Sequence, residues 1–191
     1  MKERKNQGSA GIILVVVFAV AAIAVIVLLT KPKAYDGGTY EGNTEYTNKW
    51  AGVKINLPAD YKATGPIIDT ASASYRCFIK SSGTNYSVLC INTDKTDASI
   101  DQSLQHLKES FLQSYGAAVA SGFNLTTKSV TTVSIAGETF KCLPVEFSSG
   151  TMSGVMNFYA RRVNKNGIIT FTVLTTSPSE LNTILGYIKK K

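Results

Sequence analysis

Three cysteines, Cys77, Cys90 and Cys142, are the residues of this 191-residue sequence best suited to covalent chemistry. Cys77 and Cys90 flank a Gly83-Thr84 dipeptide that can form a two-residue hairpin turn. That turn places the two cysteines directly opposite each other, at a non-hydrogen-bonded position where Cα atoms lie about 4.5 Å apart. They can therefore form a disulfide or remain two small buried apolar residues, while Cys142 is predicted to be a lone buried thiol.

Catalysis by His106, the one histidine of the chain, would need partners that the sequence does not supply. It lies between Gln105 and Leu107 in a predicted helix, without a second metal ligand or a nucleophile beside it. No nucleophile motif and no glycine-rich phosphate loop occurs elsewhere. We therefore expect His106 on an exposed helix face, and we predict no catalytic residue, no metal site and no cofactor.

Two sets of charged residues, one acidic and one basic, have spacings that suggest ligand binding, but each set has a simpler explanation. Asp94, Asp97 and Asp101 approach the pattern of a calcium loop, yet the glycine and the terminal glutamate of that loop are missing. Capping of the following helix accounts for these carboxylates better. Arg161 and Arg162 offer contacts to an acidic partner, although a solvated hairpin tip is the default expectation.

The element that organises the chain is a run of twenty apolar residues from Ala10 to Leu29. A helix of that length spans roughly 30 Å, which matches the hydrocarbon core of a bilayer. Three basic residues precede the run and two follow it closely, which favours a cytoplasmic N-terminus. The predicted organisation is a cytoplasmic N-terminus (1–8), a transmembrane signal anchor (9–30), a flexible linker (31–49) and an extracytoplasmic domain (50–191).

The segment NQGSAGIILVVV, residues 6–17, resembles the start of some pilin-like minor subunits. In such subunits a glycine precedes the apolar helix, and cleavage follows that glycine, which is Gly8 in this sequence. The glutamate that is usual at the fifth position of the mature chain is replaced by Ile13. The resemblance implies an alternative role as a filament subunit.

The net charge of +7 is concentrated at the ends of the chain. The residues before the apolar run carry +2, and Lys189, Lys190 and Lys191 supply three further positive charges. The body between is close to neutral, so we predict no nucleic-acid partner.

Hydrophobic periodicity after the anchor predicts one strand, a hairpin, a helix, two more hairpins and a final helix. Residues 31–48 lack an apolar period and are predicted to be extended, with Tyr35, Tyr40 and Tyr46 exposed or at the membrane interface. Residues 59–74 are predicted to be irregular. The predicted elements are strands at 53–57, 75–80, 85–91, 129–135, 139–147, 155–163 and 168–175, with helices at 100–116 and 178–188.

This order indicates an α+β fold, in which a mostly antiparallel sheet packs against two helices. The opening motif WAGVKINLP at 50–58, followed by these elements, resembles the PsbP/Mog1-like fold and small surface domains of Gram-positive bacteria. Members of that group bind other proteins without catalysis, so the resemblance implies a protein-binding domain. It supplies no functional residues to carry over.

Two classes of function therefore remain. In the first, the chain is a membrane-anchored, extracytoplasmic binding or assembly module whose partner is a protein or a component of the cell envelope. In the second, it is an enzyme whose site is assembled from residues distant in sequence.

Overall fold

A computed structural model describes residues 39–41, 44–69, 73–82, 85–114, 124–149 and 152–191. The predicted membrane anchor from Ala10 to Leu29 and the processing position Gly8 lie outside these residues. Within them, no helix has both the length and the apolar character needed to cross a membrane. All the described residues belong to one compact unit.

The described residues form two antiparallel sheets and two short helices, which agrees with the predicted α+β class. In chain order the elements are β1 (Thr39–Glu41), β2 (Glu45–Asn48), β3 (Val53–Asn56), β4 (Lys62–Asp69), β5 (Ala73–Ser82), β6 (Asn85–Asp94), α1 (Ile100–Ser114), β7 (Asn124–Thr127), β8 (Thr131–Ile135), β9 (Glu138–Ser149), β10 (Met152–Asn164), β11 (Gly167–Thr175), a 3-10 turn (Pro178–Glu180), α2 (Leu181–Gly186) and β12 (Ile188–Lys190). The large sheet has the order β4-β5-β6-β11-β10-β9, with β7 and β8 both on the outer edge of β9. The small sheet has the order β1-β2-β3-β12.

The large sheet buries side chains on both faces because its strands alternate between two apolar clusters. On the inner face it packs against the small sheet and α2, through a cluster that includes Trp50, Ile55, Phe78, Phe171 and Ile184. On the outer face α1 covers β9 and β10, through a cluster that includes Leu104, Val145, Met156, Phe158 and Ile168. Each fully buried Phe or Ile contributes about 1.5–3 kcal/mol, so both clusters stabilise the fold.

The predicted linker is partly ordered, since β1 and β2 lie within residues 31–49. Tyr46, predicted to be exposed, is only 1% exposed, and Asn48 is fully buried. The Asn48 amide donates to the Tyr46 hydroxyl at 3.0 Å and accepts from the Ala51 backbone N–H at 2.8 Å. These bonds compensate for the burial of polar groups. A strand of four mostly polar residues is too short to show a period, which is why the sequence did not reveal it.

The region predicted to be irregular contains the strand β4, which pairs with β5. Its register shifts between Thr64 and Ile68. An irregularity of this kind interrupts the period of two that identifies a strand in a sequence.

The predicted C-terminal helix at 178–188 is wrong only at its end, because a 3-10 turn and α2 together cover 178–186. It ends at Gly186, and Ile188 lies in β12, where it pairs with Ile55 of β3. Ser177 makes no side-chain cap bond. The Lys190 ammonium lies 2.8 Å from the Glu138 carboxylate, and this ion pair lowers the pKa of Glu138.

The elements with strong local signals are confirmed. The hairpin of β5 and β6, the hairpin of β8 and β9, and the hairpin of β10 and β11 all pair as expected. At Pro144 the outer partner of β9 changes from β8 to β7. The Pro144 carbonyl accepts from the Lys128 N–H at 2.9 Å, within the connection between those two strands.

Candidate functional site

A cleft of about 390 Å³ opens between α1 and the outer face of β6 and β11. Asn92 and Asp94 on β6 form one half of its floor, and Ile168 and Thr170 on β11 form the other half. Asn92 pairs with Thr170 and Asp94 with Ile168, so all four side chains leave the same face of the sheet. The floor is thus rigid and presents one amide, one hydroxyl, one carboxyl and one aliphatic group.

The first turns of α1 form the facing wall through Gln102, Ser103, His106 and Leu107. These positions lie on one side of the helix because residues three and four apart are neighbours. A capping box at Ser99 fixes the start of this wall. The Ser99 hydroxyl accepts from the Gln102 N–H at 3.1 Å, and the Gln102 side chain accepts from the Ser99 N–H at 2.8 Å.

Arg162 holds the connection between β6 and α1, which closes one end of the cleft. Its guanidinium donates to the carbonyl oxygens of Thr96 and Lys165 at 3.0 Å each, of Asp97 at 3.1 Å, and of Ala98. Thr96 and Ala98 line the cleft. The expectation of a solvated hairpin tip is therefore wrong for Arg162, because the fork of N–H donors matches four backbone acceptors.

Arg161 is half-buried as well, with 17% of its side chain exposed. It donates to the Ala51 carbonyl at 3.0 Å and lies 5.3 Å from the ring centre of Phe140. Burial lowers its pKa, and the Glu138 carboxylate 4.0 Å away partly restores it. Both arginines therefore stabilise the fold.

Asp94 and His106 are the two ionisable side chains that line the cleft within the described residues. Burial raises the pKa of Asp94, while the positive potential of His106 and a hydrogen bond from the Lys95 backbone lower it by less. The prediction that His106 is exposed is confirmed. Sequence reasoning missed its electrostatic partner, although both residues flank the short connection from β6 to α1.

None of the three cysteines lines the cleft. Cys77 and Cys90 pair across β5 and β6 in the predicted register and form a disulfide, with Cα atoms 4.1 Å apart. Cys90 shares its face of β6 with Asn92, so the bridge braces the strand that forms the floor. Cys142 is a buried free thiol on the inner face, and burial raises its pKa to about 11.

The acidic residues do not form a calcium site. Asp101 binds Lys141 at 2.8 Å, and Asp97 is exposed. In the part of the chain that the structure describes, no group of three or more His, Cys, Asp or Glu side chains is placed to hold a metal ion.

A second depression of about 560 Å³ lies between α2, β12 and the turn that joins β8 and β9. It is more open than the cleft at α1. Its apolar floor includes Ile135 and Ile188, and Lys190 at its rim is already paired with Glu138. It offers fewer converging polar groups, so the cleft at α1 is the better candidate.

Comparison with known proteins gives structural likenesses and no family. No protein-family model matches the chain, and no curated protein matches it. Cyanobacterial PsbP (CyanoP) from Synechocystis sp. PCC 6803 is similar in structure, with 12% identity and a TM-score of 0.49 over 81% of this chain and 98% of that chain. LpqN, involved in cell envelope biogenesis of Mycobacterium tuberculosis, is similar with 8% identity and a TM-score of 0.39, over 77% of this chain and 80% of that chain. Values this low carry neither protein's function to this chain.

Proposed function

We propose that the chain is a membrane-anchored, extracytoplasmic binding module without catalytic activity, and that it holds a small polar ligand in the cleft at α1. The cleft itself is the observation that carries the proposal. Its volume of about 390 Å³ lies in the range of small-molecule sites, which is about 300–1,000 Å³. Amide, hydroxyl and carboxyl groups converge there beside the aliphatic side chains of Leu107 and Ile168.

The construction of the cleft also favours binding. Its floor is held by strand pairing and by the disulfide at Cys90, and its loop is held by Arg162. A site that is formed before the ligand arrives loses little conformational entropy on binding. Conformational rigidity at an exposed cleft is thus consistent with recognition of a ligand.

The proposed location rests on two features of the chain. The apolar run from Ala10 to Leu29 has the length of a membrane span, and the basic residues before it favour retention of the N-terminus in the cytoplasm. A disulfide also fits an oxidising compartment.

The topology can be tested by adding protease to intact cells that carry the full chain. Digestion of the domain, with protection of the N-terminus, is the expected result. Protection of the domain while known surface proteins are digested would overturn the proposed location. Sequencing of the mature N-terminus distinguishes the binding module from the filament subunit, because cleavage after Gly8 would favour a pilin-like subunit.

Ligand binding can be tested by amide NMR of the full chain in uncharged detergent micelles, with a library of small polar solutes. Shift changes should concentrate at β6, β11 and the start of α1. The variant Asn92→Phe, which fills the floor, should abolish them, whereas Thr132→Phe on the exposed face of β8 should not. Solutes that bind elsewhere, or equally well to Asn92→Phe, would remove the cleft from the proposal.

Hydrolysis is the second candidate function, because Ser103, His106 and Asp94 line the same cleft. These are the residue types of a nucleophile, a base and its orienting acid. Among the described residues, however, no hydrogen bond joins their side chains. Ester hydrolysis by the full chain that is lost in Ser103→Ala and retained in Ser110→Ala would establish this function instead.

A further inference from the structure

We propose that the cleft at α1 selects ligands that carry a primary ammonium group, with Asp94 as the group that binds the charge. This inference rests on the proposed function, because it specifies the ligand of the same cleft. It follows from the charges and hydrogen-bonding groups around the floor.

The charge of the cleft opposes that of the chain. The chain carries a net charge of +7, yet no lysine or arginine side chain lines the cleft in the described structure. With histidine counted as neutral, as it is in the net charge of the chain, the residues that line the cleft carry one negative charge, from Asp94. The guanidinium of Arg162 donates hydrogen bonds to backbone carbonyl groups of the loop between β6 and α1. A cationic ligand would therefore meet a negative site.

The neighbouring groups match the geometry of an ammonium. A primary ammonium has three N–H donors and no acceptor. Asp94 can accept one of these donors, and the side-chain oxygens of Asn92 and Thr170 belong to the same floor. Both are neutral acceptors, so they can complete the hydrogen bonding of the ammonium without adding charge.

The remaining surface suits an organic cation better than a metal ion. Ile168 and Leu107 offer aliphatic contact to a carbon skeleton. Asp94 is the one carboxylate that lines the cleft within the described residues, whereas calcium sites use several oxygen ligands that include more than one carboxylate. The partial burial of Asp94 also reduces screening by solvent, which strengthens a charge-assisted hydrogen bond.

The test is isothermal titration of the full chain in uncharged micelles with two matched probe series. One series is glucosamine, N-acetylglucosamine and glucuronate; the other is n-butylamine, n-butanol and n-butyrate. Only glucosamine or n-butylamine should bind at millimolar concentration and pH 7.5. Asp94→Asn should weaken that binding roughly ten- to a hundredfold, the effect of losing a hydrogen bond to a charged group. Asp97→Asn, which removes the same charge from an exposed neighbour, should leave it within about twofold.

The outcomes separate this inference from the proposed function. Equal or tighter binding of the neutral or anionic probes, abolished by Asn92→Phe, would overturn the ammonium preference and leave the binding module in place. Equal binding of the amines by wild type and a folded Asp94→Asn variant would also overturn it. If no probe of either series binds, the result would count against both the ammonium preference and the proposed binding module.

Discussion

Trp50 packs its indole ring against Gly167, so that a Cβ atom added to Gly167 would overlap Cη2 and Cζ2 of the ring. Trp50 belongs to the turn between β2 and β3, and Gly167 is the first residue of β11. The contact therefore joins the small sheet to the large one. The glycine is required here for space, since its backbone angles are ones that other residues adopt.

Gly167→Ala should lower the free energy of unfolding by about 1–3 kcal/mol, because overpacking forces the ring or the strand to move. Urea denaturation monitored by the fluorescence of Trp50 gives both the stability and the environment of the ring. Gly186→Ala is the matched control, since a Cβ there meets nothing within 4 Å. The control should be unchanged or more stable by up to about 1 kcal/mol. Equal effects of the two substitutions would contradict the close packing of Trp50.

The disulfide between Cys77 and Cys90 predicts one reactive thiol per unfolded, unreduced chain and three after reduction. In the folded chain Cys142 should react slowly at neutral pH, because burial raises its pKa to about 11. Reduction should lower the free energy of unfolding by about 3 kcal/mol, as expected for a short closed loop. Three reactive thiols before reduction would show that the bridge is absent.

Arg162→Lys should lower the free energy of unfolding by about 1–3 kcal/mol, although it keeps the positive charge. A lysine ammonium cannot reach the four carbonyl groups that the guanidinium binds. Hydrogen exchange of the amides at 96–98 should become faster in this variant. Lys165→Gln, at an exposed side chain beside it, should change stability by less than about 0.5 kcal/mol. Unchanged exchange in Arg162→Lys would contradict the role of the guanidinium.

Asp94→Asn should make the chain more stable near pH 7, with a gain that disappears as the pH falls. Burial raises the native pKa of Asp94, so its contribution to stability is fully present below the ordinary carboxyl range and lost as pH rises through the native value. His106 and the Lys95 backbone lower the pKa of Asp94, but by less than burial raises it. Thermal melts from pH 3.5 to 8 measure the difference, with Asp97→Asn as the exposed control. A variant less stable than wild type at pH 7 would contradict the cost of burying this carboxylate.

The parts of the fold that could be predicted are those with a local cause. Helix α1 follows from apolar spacing and the Ser99 cap, and three hairpins follow from their turns and alternation. Strand β12 could not be predicted in this way, because Ile188 pairs with Ile55 far away in the sequence. The apolar positions Leu181, Ile184 and Ile188 fit a helical period, and tertiary pairing overrode it at Ile188.

The candidate site was missed for a similar reason. Asp94 and His106 each have a local explanation in the sequence, Asp94 as a capping or calcium group and His106 as a helix surface residue. Their proximity depends on the angle at which α1 leaves β6, which Arg162 fixes through the loop. Asp94 ends β6 and His106 lies in α1, on the other side of a short connection. This arrangement is the sequence signal from which their proximity could have been predicted.

The pairing of β3 with β12 has a consequence for how the protein is made. About 130 residues lie between the two strands, so the edge of β3 stays open while the ribosome adds them. At 5–20 residues per second this interval lasts roughly ten seconds. An open strand edge can pair with another chain, so an incomplete copy is exposed to such pairing at β3 until Ile188 has been added.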